Sequence, residues 1–284
     1  DEDRWPSGFA GGLVTVHQEY RARYLVWSPC PPNDGETTED SPKGSTARAV
    51  RSRNRTLLGI YRVEGRDGYL QSYERIGEEG AGEDARGTAR QAGRLWWAYL
   101  EICGDNPWFN SQSYVDALNP EAVRAFIDGT YERYRELLGQ DFGHKIPAIF
   151  TDEPQFTPKE QADAIDSLRQ VILPFTDRLP ALFQETYGFD LLGCLPELFY
   201  ERRGEYSRAR YCYHELVSRM FADGFCRQLG EWCEKHHIRL TGHLMKEPLL
   251  SSQTAYVGEA MRAYAGFQIP GMDLLCDRRE FTTA

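Results

Sequence analysis

Between residue 13 and about residue 104, apolar and polar positions tend to alternate. "LVTVHQEYRARYLVW", "RTLLGIYRVEGRDGYLQSYERI" and "RLWWAYLEI" all do so. A period of two predicts strands whose successive side chains face opposite ways. The "RDG" within the second run fits a hairpin turn. "SPCPPNDGETTEDSPKGSTA" and "GEEGAGEDARG" separate the runs, and their polar, Gly- and Pro-rich make-up predicts loops. The segment 13–104 therefore reads as a β-rich insertion. It follows a Gly- and acid-rich loop over 1–12, which enters as a site loop.

From about residue 105 the period changes. Asn119 is a good N-cap and Pro120 suits the first helical position. Val123, Phe126, Ile127, Tyr134, Leu137 and Leu138 then recur at helical spacing up to Gly139. The strand "IPAIF" follows, then two helical pieces around "VILPFTDRLPALFQETYG" and "LLGCLPELFYER". A long helix is predicted from Tyr206 to His236. After it come the strand "IRLTGHLM", a helix around "QTAYVGEAMRAYAG" and the strand "FQIPGMDLL". Strands alternating with helices predict an α/β fold with a parallel sheet. Its expected form is a (β/α)8 TIM-type barrel whose βα units occupy 105–284. Without the insertion about 190 residues remain, against about 250 for a closed barrel. The barrel is thus expected to be incomplete, as a fragment of a longer parent chain whose other domains would be its partners. No strand opens into a Gly-rich phosphate loop, which weakens a nucleotide reading.

Composition narrows the function classes. Of 284 residues 41% are hydrophobic, enough for a core, and the net charge of −10 argues against a nucleic-acid partner. No apolar run approaches a membrane span. Seven cysteines without a C-x-x-C pair do not suggest a disulfide framework. That favours a reducing, cytoplasmic setting, with a secreted or periplasmic one kept open because the chain starts at Asp1 and not at Met.

The chemistry gathers at predicted strand ends. "AIF" runs into Thr151, Asp152, Glu153 and Pro154. A carboxyl there, shielded by Phe150, Pro154 and Phe156, would hold its proton toward neutrality, and that suits Glu153 to general acid work. Asp152 should alternate to the other side of the strand and anchor the loop or bind a cation. In "TGHLMKEP", His243 could orient a carboxylate or a substrate hydroxyl and Glu247 could be the partner acid. Glycoside hydrolysis demands two such carboxyls. The bland alternatives are a satisfied core histidine and a solvated loop acid. Asp273 ends a third strand. Trp5, Trp108, Phe109, Tyr114 and Phe156 could pack on sugar faces or be ordinary core, while Asn106, Asn110 and Gln112 offer amides.

Six blocks occur in one order: "DEDRWPSGFAGG", "YVDALNPEAVRAFIDGTYERY", "IFTDEP", "YGFDLLGCLPELF", "GEWCEKHHIRLTGHLMKE" and "GEAMRAYAGFQIPGMDLL". Together they resemble the barrel domain of large bacterial glycoside hydrolases around family 106, the α-L-rhamnosidases, and uncharacterised relatives. The resemblance implies a (β/α)8 catalytic barrel that removes a terminal sugar with inversion, using two glutamates, with calcium near the site. It places the acid at Glu153 and gives Glu247 as second carboxylate. It suggests substrate or calcium contacts at Asp1 and Glu2. Substrate-binding residues are expected at Asp1, Glu2, Trp5, Trp108, Asn110, Asp152, His243 and Asp273. Relatives usually carry Asn before the acid, where this chain has Asp152.

Three other readings stay open. One is a retaining β-glycosidase of the family 2 type, and another is a non-catalytic carbohydrate-binding relative. The third is metal-dependent hydrolysis, which would need His243, Glu247, Asp152 and Glu2 to converge on one ion.

Overall fold

The computed structural model describes residues 12–31, 55–77, 93–105, 111–156 and 158–273. Two separate sheets organise them. Strands β1 (Arg23–Ser28), β2 (Arg55–Arg66), β3 (Tyr69–Ile76) and β4 (Arg94–Ile102) belong to a five-stranded sheet. Its order is β3-β2-β4-β1-β6, where β6 is Val171–Phe175, and all its pairings are antiparallel. Strands β5 (Ala148–Asp152), β7 (Arg239–His243) and β8 (Ile269–Pro270) form a three-stranded parallel sheet.

This arrangement corrects the barrel expectation. The decisive strand is β6. "VILPF" was expected to begin a helix, yet all five of its residues are buried in a strand on the edge of the antiparallel sheet. A continuous apolar run this short carries no period, so it suits a buried strand as well as a helix. Pro174 is tolerated because β6 is an edge strand. The chain thus leaves β5, pairs β6 with the other sheet, and returns only at β7 beside β5. A parallel barrel needs every strand flanked by parallel neighbours. Here the parallel ladder stops at β5 on one side and at the two-residue β8 on the other. No barrel closes among the described residues.

A second correction lies at Gly12–Val16, which is a short helix, α1, and not the start of a strand. Of that alternating run only residues 23–27 lie in a strand, β1.

The core explains why β1 sits near the centre. All six of its residues are buried. Trp27 stacks between Trp96 at 5.3 Å and Phe199 at 4.8 Å, and its indole N–H donates to the Tyr200 hydroxyl at 3.1 Å. The buried Glu101 carboxylate accepts from Tyr24 and Arg55, so its charge is compensated.

The helices follow the sequence more closely. Asn119 caps α2 (Pro120–Phe126) by accepting from the Glu121 N–H, and the helix continues through a π turn into α3 (Glu132–Leu138). After β6 come α4 (Leu179–Tyr187) and α5 (Pro196–Phe199). Ser207 caps α6 (Arg208–Phe221), which passes through a second π turn into α7 (Gln228–Lys235). Helices α8 (Leu250–Tyr256) and α9 (Ala260–Tyr264) link β7 to β8. Cys212, Cys226 and Cys233 are buried and free, as small apolar residues would be. Among the described residues no helix is long and apolar enough to cross a membrane.

Asp116 ties the segment before α2 to the segment just past β6. It accepts from the Leu118 N–H at 3.1 Å and from the Thr176 hydroxyl, just past β6, at 2.7 Å. Burial pushes its carboxyl from 3.8 up to about 6. A folded pKa above the unfolded one means the proton stabilises the fold. That contribution is full below about pH 4 and is lost as pH rises through about 6. Asp116→Asn keeps an acceptor for Leu118 and can donate to Thr176. It should therefore stabilise the protein by roughly 1–3 kcal/mol at pH 7.5 and by much less at pH 4. Thermal denaturation of both proteins at the two pH values checks this.

Candidate active site

The site begins where β5 and β7 run out together. Their parallel register sets Thr151 beside Gly242 and Asp152 beside His243. The His243 Nε2 lies 3.1 Å from Asp152 Oδ1. At Glu153 the backbone turns left-handed, with φ of 49°, and its N–H donates to the His243 carbonyl at 3.1 Å. That turn ends the strand's alternation. Glu153 does not continue on the face opposite Asp152, as strand periodicity predicted. Both acids gather at His243, where one oxygen of Glu153, one oxygen of Asp273 and a His243 ring nitrogen all lie within 4.8 Å of one another.

Burial is the main cause that raises the Glu153 carboxyl above the usual range. The charge of Asp152 adds to it, His243 opposes it, and Asp273 adds further. The sequence pointed to shielding by neighbouring aromatics, and the geometry differs in detail. Pro154 is buried, but Phe150 is largely exposed and leans edge-on against the His243 ring. Phe156 is core, packed on Phe221. Tyr114 is also buried core and is not a sugar platform.

Glu247 has a different place. It is 5% exposed, and its carboxylate is fully engaged. Oε1 accepts from the Leu244 N–H at 2.9 Å and from the Tyr264 hydroxyl, while Oε2 accepts from the Asp273 N–H at 3.1 Å. The side chain latches the loop after β7 to the segment after β8, and so fixes where Asp273 stands. Nothing in the sequence marked Tyr264, since a tyrosine on a short helix gives no sign of the buried acid it meets. Glu247→Gln replaces one acceptor oxygen by a donor facing N–H or O–H groups. It should cost about 1–3 kcal/mol, read by urea denaturation.

Of the four residues of the metal arrangement, Glu247 is engaged in the latch and Glu2 lies outside the described residues. So do Asp1, Trp5, Trp108, Phe109 and Asn110. Three of the expected residues, Asp152, His243 and Asp273, do meet at Glu153.

With this geometry in view, known proteins offer little. No family model matches the chain, and no curated protein does. One similar solved structure is titled a rhamnosidase from Novosphingobium sp. PP1Y. The two share 17% identity with a TM-score of 0.45, over 70% of this chain and 19% of that one. This chain thus spans about a fifth of that protein's length. A likeness this distant decides neither fold nor activity.

Proposed function

We propose that the chain is a glycoside hydrolase acting on a terminal sugar, with Glu153 as the proton donor. The observation that carries the reading is a carboxyl with a raised pKa held beside a second carboxylate, Asp273, at the ends of parallel strands. The sequence blocks similar to the rhamnosidase region narrow that acid chemistry to sugars.

The mechanism adapts to the geometry. Glu247 is occupied, so Asp273 takes the second role. The two carboxyls approach to within 4.8 Å by one oxygen each, which leaves no room for a water in line between those oxygens and supports double displacement over inversion. Asp273 would attack the anomeric carbon while Glu153 gives its proton to the departing oxygen. Glu153, now a carboxylate, would then take a proton from the water that releases the sugar. Asp152 and His243 hold one another and set the charge around Glu153.

The test is a panel of p-nitrophenyl glycosides, α-L-rhamnoside included, with wild-type protein and Glu153→Gln. The expected result is p-nitrophenol release whose steady-state rate the substitution lowers strongly, because Glu153 also takes the proton of the water in the second step. Release unaffected by it would overturn the assignment, and silence of the wild type across the panel would favour a binding role.

One observation favours a second reading. His243 Nδ1 is buried and makes no hydrogen bond, while Nε2 faces Asp152. A carboxylate behind one ring nitrogen turns the other toward a metal ion. Glu153 and Asp273 would complete the ligands. One imidazole with two carboxylates suits zinc or manganese better than calcium, which prefers oxygen donors throughout. Titration calorimetry with each ion should then show Zn2+ or Mn2+ binding that His243→Ala removes. No heat from any of the three would end this reading.

A further inference from the structure

A cleft of about 710 Å3 opens between the antiparallel sheet and α8, away from the residues just described. The segment after Phe156 forms one wall. It is strapped in place by the Lys159 N–H donating to Ala255 and the Glu160 N–H donating to Ile172, both at 2.9 Å. Lys159 lines the cleft, and its Nζ is buried without a hydrogen bond. It lies over the Phe156 ring, 5.1 Å from the centroid. His214 of α6 lines the same cleft, and its Nδ1 is likewise buried without a partner. The third basic group there, Arg210, is already engaged by Glu201 and the Glu197 carbonyl.

An unpaired buried amine is costly as a cation, so it is either neutral or matched by a ligand. Burial lowers the Lys159 amine to about 7 and the His214 imidazole to about 3. The acids Glu160, Asp163 and Glu201 also line the cleft, which disfavours an anionic guest. Apolar wall comes from Leu173, Leu198 and Phe199. A neutral amine, a neutral imidazole and a partly apolar wall suit an uncharged electrophile.

We propose that this cleft binds a small neutral aldehyde or ketone and that Lys159 captures it as an imine. The Nζ lone pair adds to the carbonyl carbon, and the proton released by nitrogen passes through solvent water to the carbonyl oxygen to give a neutral carbinolamine. His214, kept neutral by burial, accepts a hydrogen bond from the carbinolamine hydroxyl at its unpartnered Nδ1 and orients it. A second proton from water converts that hydroxyl to departing water, and a protonated C=N bond to Lys159 remains.

The chain has only five lysines, so trapping can be mapped. Glycolaldehyde with cyanoborohydride at pH 7, followed by peptide mass spectrometry, reduces any imine to a stable amine. Lys159 is expected to label at least ~10-fold faster than the exposed Lys145, with a rate that saturates in glycolaldehyde. His214→Gln should slow labelling at Lys159 and leave Lys145 unchanged. Equal labelling across the lysines, or a Lys159 rate that stays linear in glycolaldehyde, would overturn the site. An unchanged Lys159 rate in His214→Gln would overturn the role of the imidazole. Circular dichroism of that variant confirms that its fold is intact.

Discussion

Gly242→Ala is expected to cost roughly 3 kcal/mol or more of folding stability. Two causes add. Gly242 has φ of +143°, a conformation that L side chains rarely adopt. A Cβ there would also sit 2.0 Å from the Thr151 carbonyl oxygen, which is backbone and cannot swing aside. Relief requires β5 to separate from β7, and that register is what sets Asp152 beside His243. On the other side the Gly242 carbonyl accepts from the Gly271 N–H at 2.8 Å, so the path toward Asp273 would shift as well. Gly68→Ala is the control. Gly68 shares a positive φ, but a Cβ there meets nothing within 4 Å, so only the backbone cost of about 1 kcal/mol remains. Urea denaturation of both variants separates strain from collision. Equal losses would mean that the contact with Thr151 can relax.

The second large effect concerns Glu153. Glu153→Gln should lower turnover by about 10²–10⁴, the usual weight of a positioned proton donor. Asp152→Asn should act in a quieter way. The Asp152 charge helps to raise the Glu153 carboxyl, so its removal lowers that pKa. The donor must be protonated to act. The basic limb of the pH–rate profile should therefore move to lower pH, with the rate at low pH less affected. His243 opposes the raised pKa, so His243→Ala should move the limb the other way. Matched profiles for the three proteins would show whether the limb belongs to Glu153. A limb that stays in place in Asp152→Asn would assign it to another group.

Much of the site was legible in the sequence because strands that end in reactive groups announce themselves. "AIFTDE" and "RLTGH" are short apolar runs closed by acids or histidine, and they are adjacent parallel strands in the fold. The helix over 120–138 was equally plain, since cap and 3.6 period agreed, and periodicity alone marked the stretch 206–236 that is helical over 208–235. Long-range choices escaped. "VILPF" has no period, and only the partner strand β1 makes it a strand. The barrel expectation rested on placing every later strand in one parallel sheet, and β6 breaks that assumption. Glu247 and Asp273 illustrate the same limit within the site. Both are acids after strands, and the sequence ranked Glu247 higher. A donor from nearby Leu244, with two from Tyr264 and Asp273 further along the chain, turns Glu247 into a latch. The left-handed turn at Glu153 was hidden too, because Glu gives no signal for positive φ.

The central claim is that Glu153 hands its proton to the leaving oxygen, and leaving-group dependence addresses it most directly. Once the glycoside panel has identified the sugar, kcat/KM is measured for its 2,4-dinitrophenyl and alkyl glycosides, in wild type and Glu153→Gln. A dinitrophenolate leaves without protonation, whereas an alkoxide does not. The account predicts that Glu153→Gln loses hydrolysis of the alkyl glycoside and keeps most of its rate on the dinitrophenyl one. Equal losses on both substrates, or none on either, would contradict it.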